Sequence, residues 1–155
     1  MVLLAVGCSG PTQGEAQTPT QPNVVFILAD DMRLDDYEYM PQTRQLLAEQ
    51  GVTFEEAFVT HSLCCPSRAS ILRGQYTHNH QVLNNARQEG GFEKFRSMGH
   101  EDSTVATWLQ SEGYQTALIG KYLNGYARRD DKTYVPSGWD EWHPSSAETA
   151  TTTTR

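Results

Sequence analysis

The sequence has 155 residues, and 12 Lys and Arg against 19 Asp and Glu give it a formal net charge of −7. The length fits a single domain of about 100–200 residues, and an acidic chain without a basic block argues against nucleic acid as a partner. Only 37% of the residues are hydrophobic, and both ends are rich in Thr, Gln, Pro, Ser and Ala, so we expect the foldable part at residues 22–143.

Residues 1–21 predict an export signal followed by a tether. The apolar residues 1–7 are far shorter than the roughly 20 residues of a membrane-spanning helix, and Gly7 precedes Cys8 as in a bacterial lipoprotein signal. Residues 9–21 have the composition of a flexible linker. We therefore expect a clipped lipoprotein-type signal with lipid on Cys8 and a location in the bacterial periplasm or on the cell surface, and an ordinary ragged terminus is the alternative.

The foldable part alternates between strand and helix patterns. The predicted elements are a strand at residues 23–29, a helix at 40–50 before Gly51, a strand at 52–59, a helix from the N-cap candidates Asp102 or Ser103 to Gly113, and a strand at 115–119. This order predicts an α/β fold with a mostly parallel sheet flanked by helices. Ligands of such folds gather beyond the carboxyl ends of the strands, where Asp30, Asp31 and Lys121 lie.

Asp30 and Asp31 directly follow the first predicted strand. Two adjacent carboxylates repel each other unless a cation offsets their charge, and their oxygens suit Ca²⁺ or Mg²⁺. The pair taken alone is also typical of a solvated turn or a helix cap. The metal interpretation therefore depends on the residues around the pair.

The most informative segment is residues 61–74, which contains Cys64-Cys65-Pro66-Ser67-Arg68. Adjacent cysteines could not form a disulfide without a strained ring, so these thiols need another explanation. The pentapeptide resembles the C-x-P-S-R signature of type I sulfatases, the formylglycine-dependent members of the alkaline phosphatase superfamily. Leu72-x-Gly74 is similar to the end of the extended signature, although Arg73 stands where Thr is usual.

The resemblance covers nearly all of the foldable part. Residues 22–31 are similar to the family's first strand and metal pair, and Gly120-Lys121 is similar to its sulfate-binding lysine motif. Within the family, the segments that most resemble N-acetylglucosamine-6-sulfatases and extracellular glucosamine endosulfatases are residues 64–72, 76–80, 120–124 and 138–142.

The resemblance implies only the N-terminal part of an alkaline-phosphatase-like sulfatase fold. The family's catalytic domain has several hundred residues, and its later metal and sulfate ligands are not found in this sequence. Residues 144–155 have a composition that supports no core, and we expect a disordered or non-native tail there. We accordingly expect the 155 residues alone to be inactive.

The resemblance also implies a sulfuric ester hydrolase in which a formylglycine-generating enzyme oxidises Cys64 to Cα-formylglycine. One hydroxyl of the hydrated aldehyde would attack the sulfur of a sulfate ester, and the other would expel sulfate as the aldehyde re-forms. Asp30, Asp31 and residue 64 would hold Ca²⁺, with Mg²⁺ as the alternative. Arg68 would hydrogen-bond the diol, and Lys121 would bind a sulfate oxygen.

A helix predicted from Pro66 to Gly74 would place the reactive residue near a helix N-terminus, whose free N–H groups favour an anion. Many sulfatases have a histidine two residues after the lysine, but Leu123 stands at that position here, and Asn124 is the nearest substitute. His78 and His80 are close enough in sequence to line the cleft.

The expected substrates are sulfated amino sugars or glycosaminoglycans, and membrane contact is expected only through Cys8. A phosphate- or phosphonate-ester hydrolase of the same superfamily remains an alternative. An inactive glycan-binding fragment is another.

Overall fold

The computed structural model describes residues 21–86, 88–126 and 134–145. The predicted signal, the proposed anchor at Cys8 and the tail from residue 146 onward lie outside the described residues. Within them, no helix has the length and apolar character needed to cross a membrane.

Short helices make up most of the regular structure. In chain order they are a 3₁₀ turn at Asp35–Tyr39, α1 at Pro41–Thr43 with a π-helical continuation at Arg44–Ala48, α2 at Cys64–Arg73, α3 at Thr77–His80, α4 at Gly91–Ser97, a 3₁₀ turn at His100–Asp102, and α5 at Val105–Ser111. Two strands follow, β1 at Ala117–Gly120 and β2 at Glu141–Pro144. They pair in parallel, with Ala117 opposite Glu141, so the predicted class of helices with a parallel sheet is confirmed.

Helix α2 carries much of the core. Its buried face packs with residues from the loop after α3, from α4 and from the segment after β1, namely Cys65, Ala69, Leu72, Val82, Phe92, Phe95, Tyr122 and Leu123. The helix ends where Gly74 adopts a left-handed conformation at φ +59°, which glycine reaches without a Cβ clash. The predicted helix is therefore confirmed, and it begins two residues earlier than Pro66.

Two other predicted elements form with shifted bounds. Helix α5 is capped by Thr104 rather than by Asp102 or Ser103, because the side chains of Thr104 and Thr107 each bond the other residue's backbone N–H. This reciprocal capping satisfies two N–H groups of the first turn. Gly113, at φ +85°, follows the helix as predicted. The last predicted strand forms at Ala117–Gly120 instead of 115–119.

The predicted strands at residues 23–29 and 52–59 are wrong for this structure. Both segments have no strand pairing and are exposed, with Val25 84% and Phe58 89% accessible. A strand exists through hydrogen bonds to a neighbour, and an isolated extended segment has none. The helix predicted at residues 40–50 forms at 41–48, with Leu46 and Leu47 exposed. The described part of the chain supplies no surface that covers these apolar segments.

Candidate active site

The amino end of α2 places Cys64 at the first helical position and Cys65 at the second. Leu63, the N-cap residue, provides no side-chain cap. Instead the Cys65 N–H donates to Asn85 Oδ1 at 2.8 Å, across 20 residues of sequence. Asn85 thus satisfies one of the N–H groups that a helix leaves free at its start. Sequence reasoning missed this residue, because no local signal connects a loop asparagine to a helix so far away.

The two neighbouring cysteines have different surroundings. Cys64 is half-buried and its Sγ lies 3.8 Å from Asp31 Oδ1. Cys65 is 0% exposed and belongs to the core. Burial raises the pKa of the Cys65 thiol to about 11, because an apolar environment disfavours the thiolate. Only Cys64 faces the other candidate site residues.

Asp30 is held by both basic residues of the predicted site. Lys121 Nζ lies 2.6 Å from Asp30 Oδ2, and Arg68 Nη2 lies 3.2 Å from Asp30 Oδ1. The hydrogen bond from Lys121 lowers the pKa of Asp30, and the bond from Arg68 adds to this effect, while partial burial opposes it. A segment that forms no strand is therefore fixed to the core by charge-assisted hydrogen bonds.

Lys121 directly follows β1, as predicted, after Gly120 at φ +106°. Partial burial lowers the pKa of Lys121, but hydrogen bonds with Asp30 and Cys64 outweigh this, and the pKa lies above its ordinary value. The side chain therefore carries a positive charge beside Cys64.

Arg68 lies one turn along α2 from Cys64, and its side chain is 12% exposed. Besides the bond to Asp30, its Nη1 donates to the carbonyl oxygen of Lys121 at 2.6 Å. Its Nε is buried and has no hydrogen-bond partner in the described part of the protein. A buried guanidinium N–H without an acceptor is costly.

Asp30, Asp31 and Cys64 form a group that could hold a metal ion. One ligand atom from each residue lies within 4.8 Å of the other two. Asp31 adopts a left-handed backbone conformation at φ +56°, which aspartate tolerates better than most residues. Two carboxylates suit a hard divalent cation, whereas a thiol is a soft ligand. The oxygens of a hydrated aldehyde at position 64 would complete a set of hard donors.

The histidines expected near the cleft do not join this cluster. His80 is 0% exposed, and its ring nitrogens contact Ser70 Oγ at 2.9 Å and the Val82 N–H at 3.1 Å. His78 is exposed and stacks on Tyr76. His80 is therefore a core residue that connects α3 to α2.

The position two residues after Lys121, where many sulfatases have a histidine, is occupied by Leu123. Leu123 is buried in the core. The main-chain oxygen of Asn124 accepts a hydrogen bond from the Phe92 N–H at 2.8 Å, and its Oδ1 is buried without a partner among the described residues. Asn124 therefore supports the α4 segment through its backbone.

Two carboxylates, the N-terminus of α2 and two basic side chains thus surround Cys64. The Sulfatase family model matches residues 22–152, more than half of the chain. The protein therefore belongs to the sulfatase family, and the resemblance read from the sequence is confirmed.

Three relatives illustrate the match. The chain is 43% identical over 142 residues to the N-acetylglucosamine-6-sulfatase of Capra hircus, covering 88% of this chain and 25% of that protein. It is 41% identical over 148 residues to the N-acetylglucosamine-6-sulfatase of Homo sapiens, covering 92% and 27%. It is 40% identical over 124 residues to the extracellular sulfatase SULF-1 homolog of Drosophila melanogaster, covering 79% and 11%. The chain thus spans between 11% and 27% of these relatives. No solved structure matches the chain.

Proposed function

We propose that this chain supplies the reactive half of a sulfate-ester hydrolase site, with residue 64 as the nucleophile after its oxidation to formylglycine. The observation that carries the proposal is the convergence of residues from separate parts of the sequence. Asp30 and Lys121 are 91 residues apart and in direct contact, and Asp31 lies next to Cys64. A solvated turn would not require this arrangement.

The side chains around residue 64 have separate roles in this proposal. The N-terminus of α2 stabilises negative charge on the hydrated aldehyde and on the sulfate through the helix dipole. Arg68 hydrogen-bonds the diol with its buried guanidinium. Lys121 binds an oxygen of the sulfate and offsets the charge that develops on the anion during the reaction.

Asp30, Asp31 and residue 64 are the proposed ligands of Ca²⁺, with Mg²⁺ as the alternative. A divalent cation at this site would polarise a sulfate oxygen and lower the pKa of a hydroxyl on residue 64. The described residues contribute three ligand groups, whereas Ca²⁺ takes about six to eight oxygens. The remaining ligands would come from water or from further chain.

The names of the relatives guide the substrate and location. Two are N-acetylglucosamine-6-sulfatases and one is an extracellular sulfatase, so we propose sulfated amino sugars or glycosaminoglycans as substrates and export from the cytoplasm. A formylglycine-generating enzyme is the proposed maturation partner. Lipid attachment at Cys8 is part of the proposal. Fatty-acid labelling of the wild type, with Cys8→Ala as the control, tests it.

A chimera tests the proposed function. Residues 22–143 of this chain replace the matching segment of the human relative, and the chimera is produced with a formylglycine-generating enzyme. We expect turnover of glucosamine 6-sulfate that is abolished by Cys64→Ala and reduced about 10²–10³-fold by Lys121→Ala. Equal turnover by the Cys64→Ala chimera would overturn the proposal. Faster turnover of an aryl phosphate than of the matching aryl sulfate would instead favour a phosphate-ester hydrolase.

A further inference from the structure

Asp30 holds both basic side chains of the proposed site, Lys121, which is assigned to sulfate, and Arg68, which is assigned to the diol. Lys121 Nζ is 2.6 Å from Asp30 Oδ2, and Arg68 Nη2 is 3.2 Å from Asp30 Oδ1. Each carboxylate oxygen thus accepts from a different cation. A sulfate ester offers the same feature, namely several anionic oxygens close together that accept charge-assisted hydrogen bonds.

Asp31 is adjacent to Asp30 but has different contacts. Its Oδ1 lies 3.8 Å from Cys64 Sγ, and among the described residues it forms no hydrogen bond or ion pair with Lys121 or Arg68. The two neighbouring carboxylates therefore carry the same charge at nearly the same place, while only Asp30 blocks the basic pair. A comparison of Asp30 and Asp31 variants can therefore distinguish direct competition for Lys121 and Arg68 from a general effect of negative charge near the site.

We propose that Asp30 is an internal competitor of the sulfate group, and this inference rests on the proposed function. In the cation-free chain, Asp30 occupies Lys121 and Arg68. A divalent cation that takes Asp30 and Asp31 as ligands weakens both ion pairs and makes the basic side chains available to the anion. Cation and sulfate therefore bind cooperatively, and each raises the affinity for the other by the same factor.

The order of events follows from this competition. Without the cation, an anion must displace the Asp30 carboxylate from Lys121 and Arg68. Asp30 belongs to the same chain, so its contacts cost no entropy of association, whereas those of a free anion do. With the cation bound, the negative charge of Asp30 is directed to the metal, and the anion finds two preorganised donors. The site then selects substrate only after the metal is loaded.

Titration of the 155-residue chain with inorganic sulfate tests this inference. Cys64 is left unmodified, so binding is measured without any catalytic reaction. Sodium sulfate replaces sodium chloride at constant ionic strength, with and without millimolar Ca²⁺, and NMR follows the Arg68 side-chain and α2 amide resonances. We expect Ca²⁺ to tighten sulfate binding to the wild type by about tenfold. Without Ca²⁺, Asp30→Asn should bind sulfate as tightly as the Ca²⁺-loaded wild type, and Asp31→Asn should stay weak.

A second variant, Asp30→Ala, removes the acceptor entirely and must behave like Asp30→Asn. Equal gains in Asp30→Asn and Asp31→Asn, or a wild-type affinity that Ca²⁺ leaves unchanged, would overturn the competition while leaving sulfate binding itself intact. The absence of sulfate binding in the Ca²⁺-loaded wild type and in both Asp30 variants would instead show that Lys121 and Arg68 do not bind sulfate in this chain. That outcome overturns the competition, whereas the chimera assay tests the proposed function separately.

Discussion

At the scale of single residues, the adjacent cysteines show how one helical position decides reactivity. Cys64 and Cys65 are neighbours in sequence, yet the first lies among charged side chains and the second lies in the core. Successive helical residues are about 100° apart around the axis, so one can face a cleft while the next is buried. The Cys65 N–H bond to Asn85 fixes this orientation at the start of α2.

Alkylation of the unmodified chain should therefore distinguish the two thiols. At pH 8 we expect iodoacetamide to modify Cys64, while Cys65 stays unmodified in the folded protein. Burial raises the pKa of Cys65 from 9.0 to about 11. At pH 8 this leaves about 100-fold less thiolate, the reactive form, than a thiol with a pKa of 9.0 would have. Peptide mapping by mass spectrometry reads the site, and Cys65→Ser should label like the wild type. Comparable labelling of both cysteines would contradict this assignment.

The charge contacts of the site could be predicted only in part from the sequence. The residues Asp30, Asp31, Cys64, Arg68 and Lys121 were singled out through their resemblance to a family pattern, and the structure brings them together. The ion pairs of Asp30 with Arg68 and Lys121 were not predicted, because sequence spacing carries no information about contacts between residues 38 and 91 positions apart. The role of Asn85 was missed for the same reason.

At the scale of secondary-structure elements, local signals and partner-dependent signals behave differently. Helices α2 and α5 formed where predicted because their stop signals, Gly74 and Gly113, act within one turn. The N-cap of α5 shifted to Thr104, since the reciprocal bonds with Thr107 outcompete the neighbouring candidates. The apolar segments 23–29 and 52–59 have strand composition but no partner in the described part of the chain, so their pattern alone could not form a sheet.

His80 connects three elements, which predicts a pH-dependent stability of the helical core. Its Nδ1 accepts from the Val82 N–H, its Nε2 contacts Ser70 on α2, and its carbonyl oxygen contacts His100 Nε2 at 2.7 Å. Burial lowers the pKa of His80, and His100 and Arg73 add to this. Protonation would remove the Nδ1 acceptor, so the folded state favours the neutral ring of His80.

The sign of the effect follows from this lowered pKa. Below about pH 6.5, the unfolded histidine takes up a proton before the folded one does, so the free energy of unfolding falls as the pH decreases. The stability contributed by neutral His80 is fully present above about pH 6.5, and it is lost as the pH falls from there through the pKa of the folded state. Burial also lowers the pKa of His100, so its contribution has the same sign.

Urea unfolding at pH 7.5 and pH 5 measures this effect. We expect the wild type to be less stable at pH 5, and His80→Phe to lose about 1–3 kcal/mol at pH 7.5 while depending less on pH. His78→Asn is the matched control, because His78 is exposed, and it should behave like the wild type. A pH dependence that His80→Phe leaves unchanged would show that His80 is not the titrating group.

At the scale of the whole molecule, the exposed apolar side chains and the small number of candidate metal ligands lead to the same conclusion. The large exposed hydrophobic side chains include Val24, Val25, Phe26, Ile27, Phe54 and Phe58, and this many exposed apolar side chains favour a contact with another part of a protein. The chain spans between 11% and 27% of the relatives described above. Both observations favour a site that needs cover and ligands in addition to those of the described residues.

We therefore expect the 155-residue chain alone, even with formylglycine at position 64, to hydrolyse sulfate esters far more slowly than the chimera. The described residues offer three ligand groups to the cation, and each missing charge-stabilising contact costs about 10²–10³ in rate. Parallel assays on 4-nitrocatechol sulfate and glucosamine 6-sulfate with millimolar Ca²⁺ measure the difference. Similar turnover by the two proteins would show that this chain is sufficient for catalysis.

The most direct test of Cys64 as the reactive residue is the mass of the peptide that contains both cysteines. The chain is produced with and without a formylglycine-generating enzyme, and an aldehyde-specific hydrazide captures the product. We predict an aldehyde at residue 64, an intact thiol at residue 65, and no capture of Cys64→Ala. An unmodified thiol at residue 64 in the presence of an active maturation enzyme, or an aldehyde at residue 65, would contradict the assignment of Cys64 as the nucleophile.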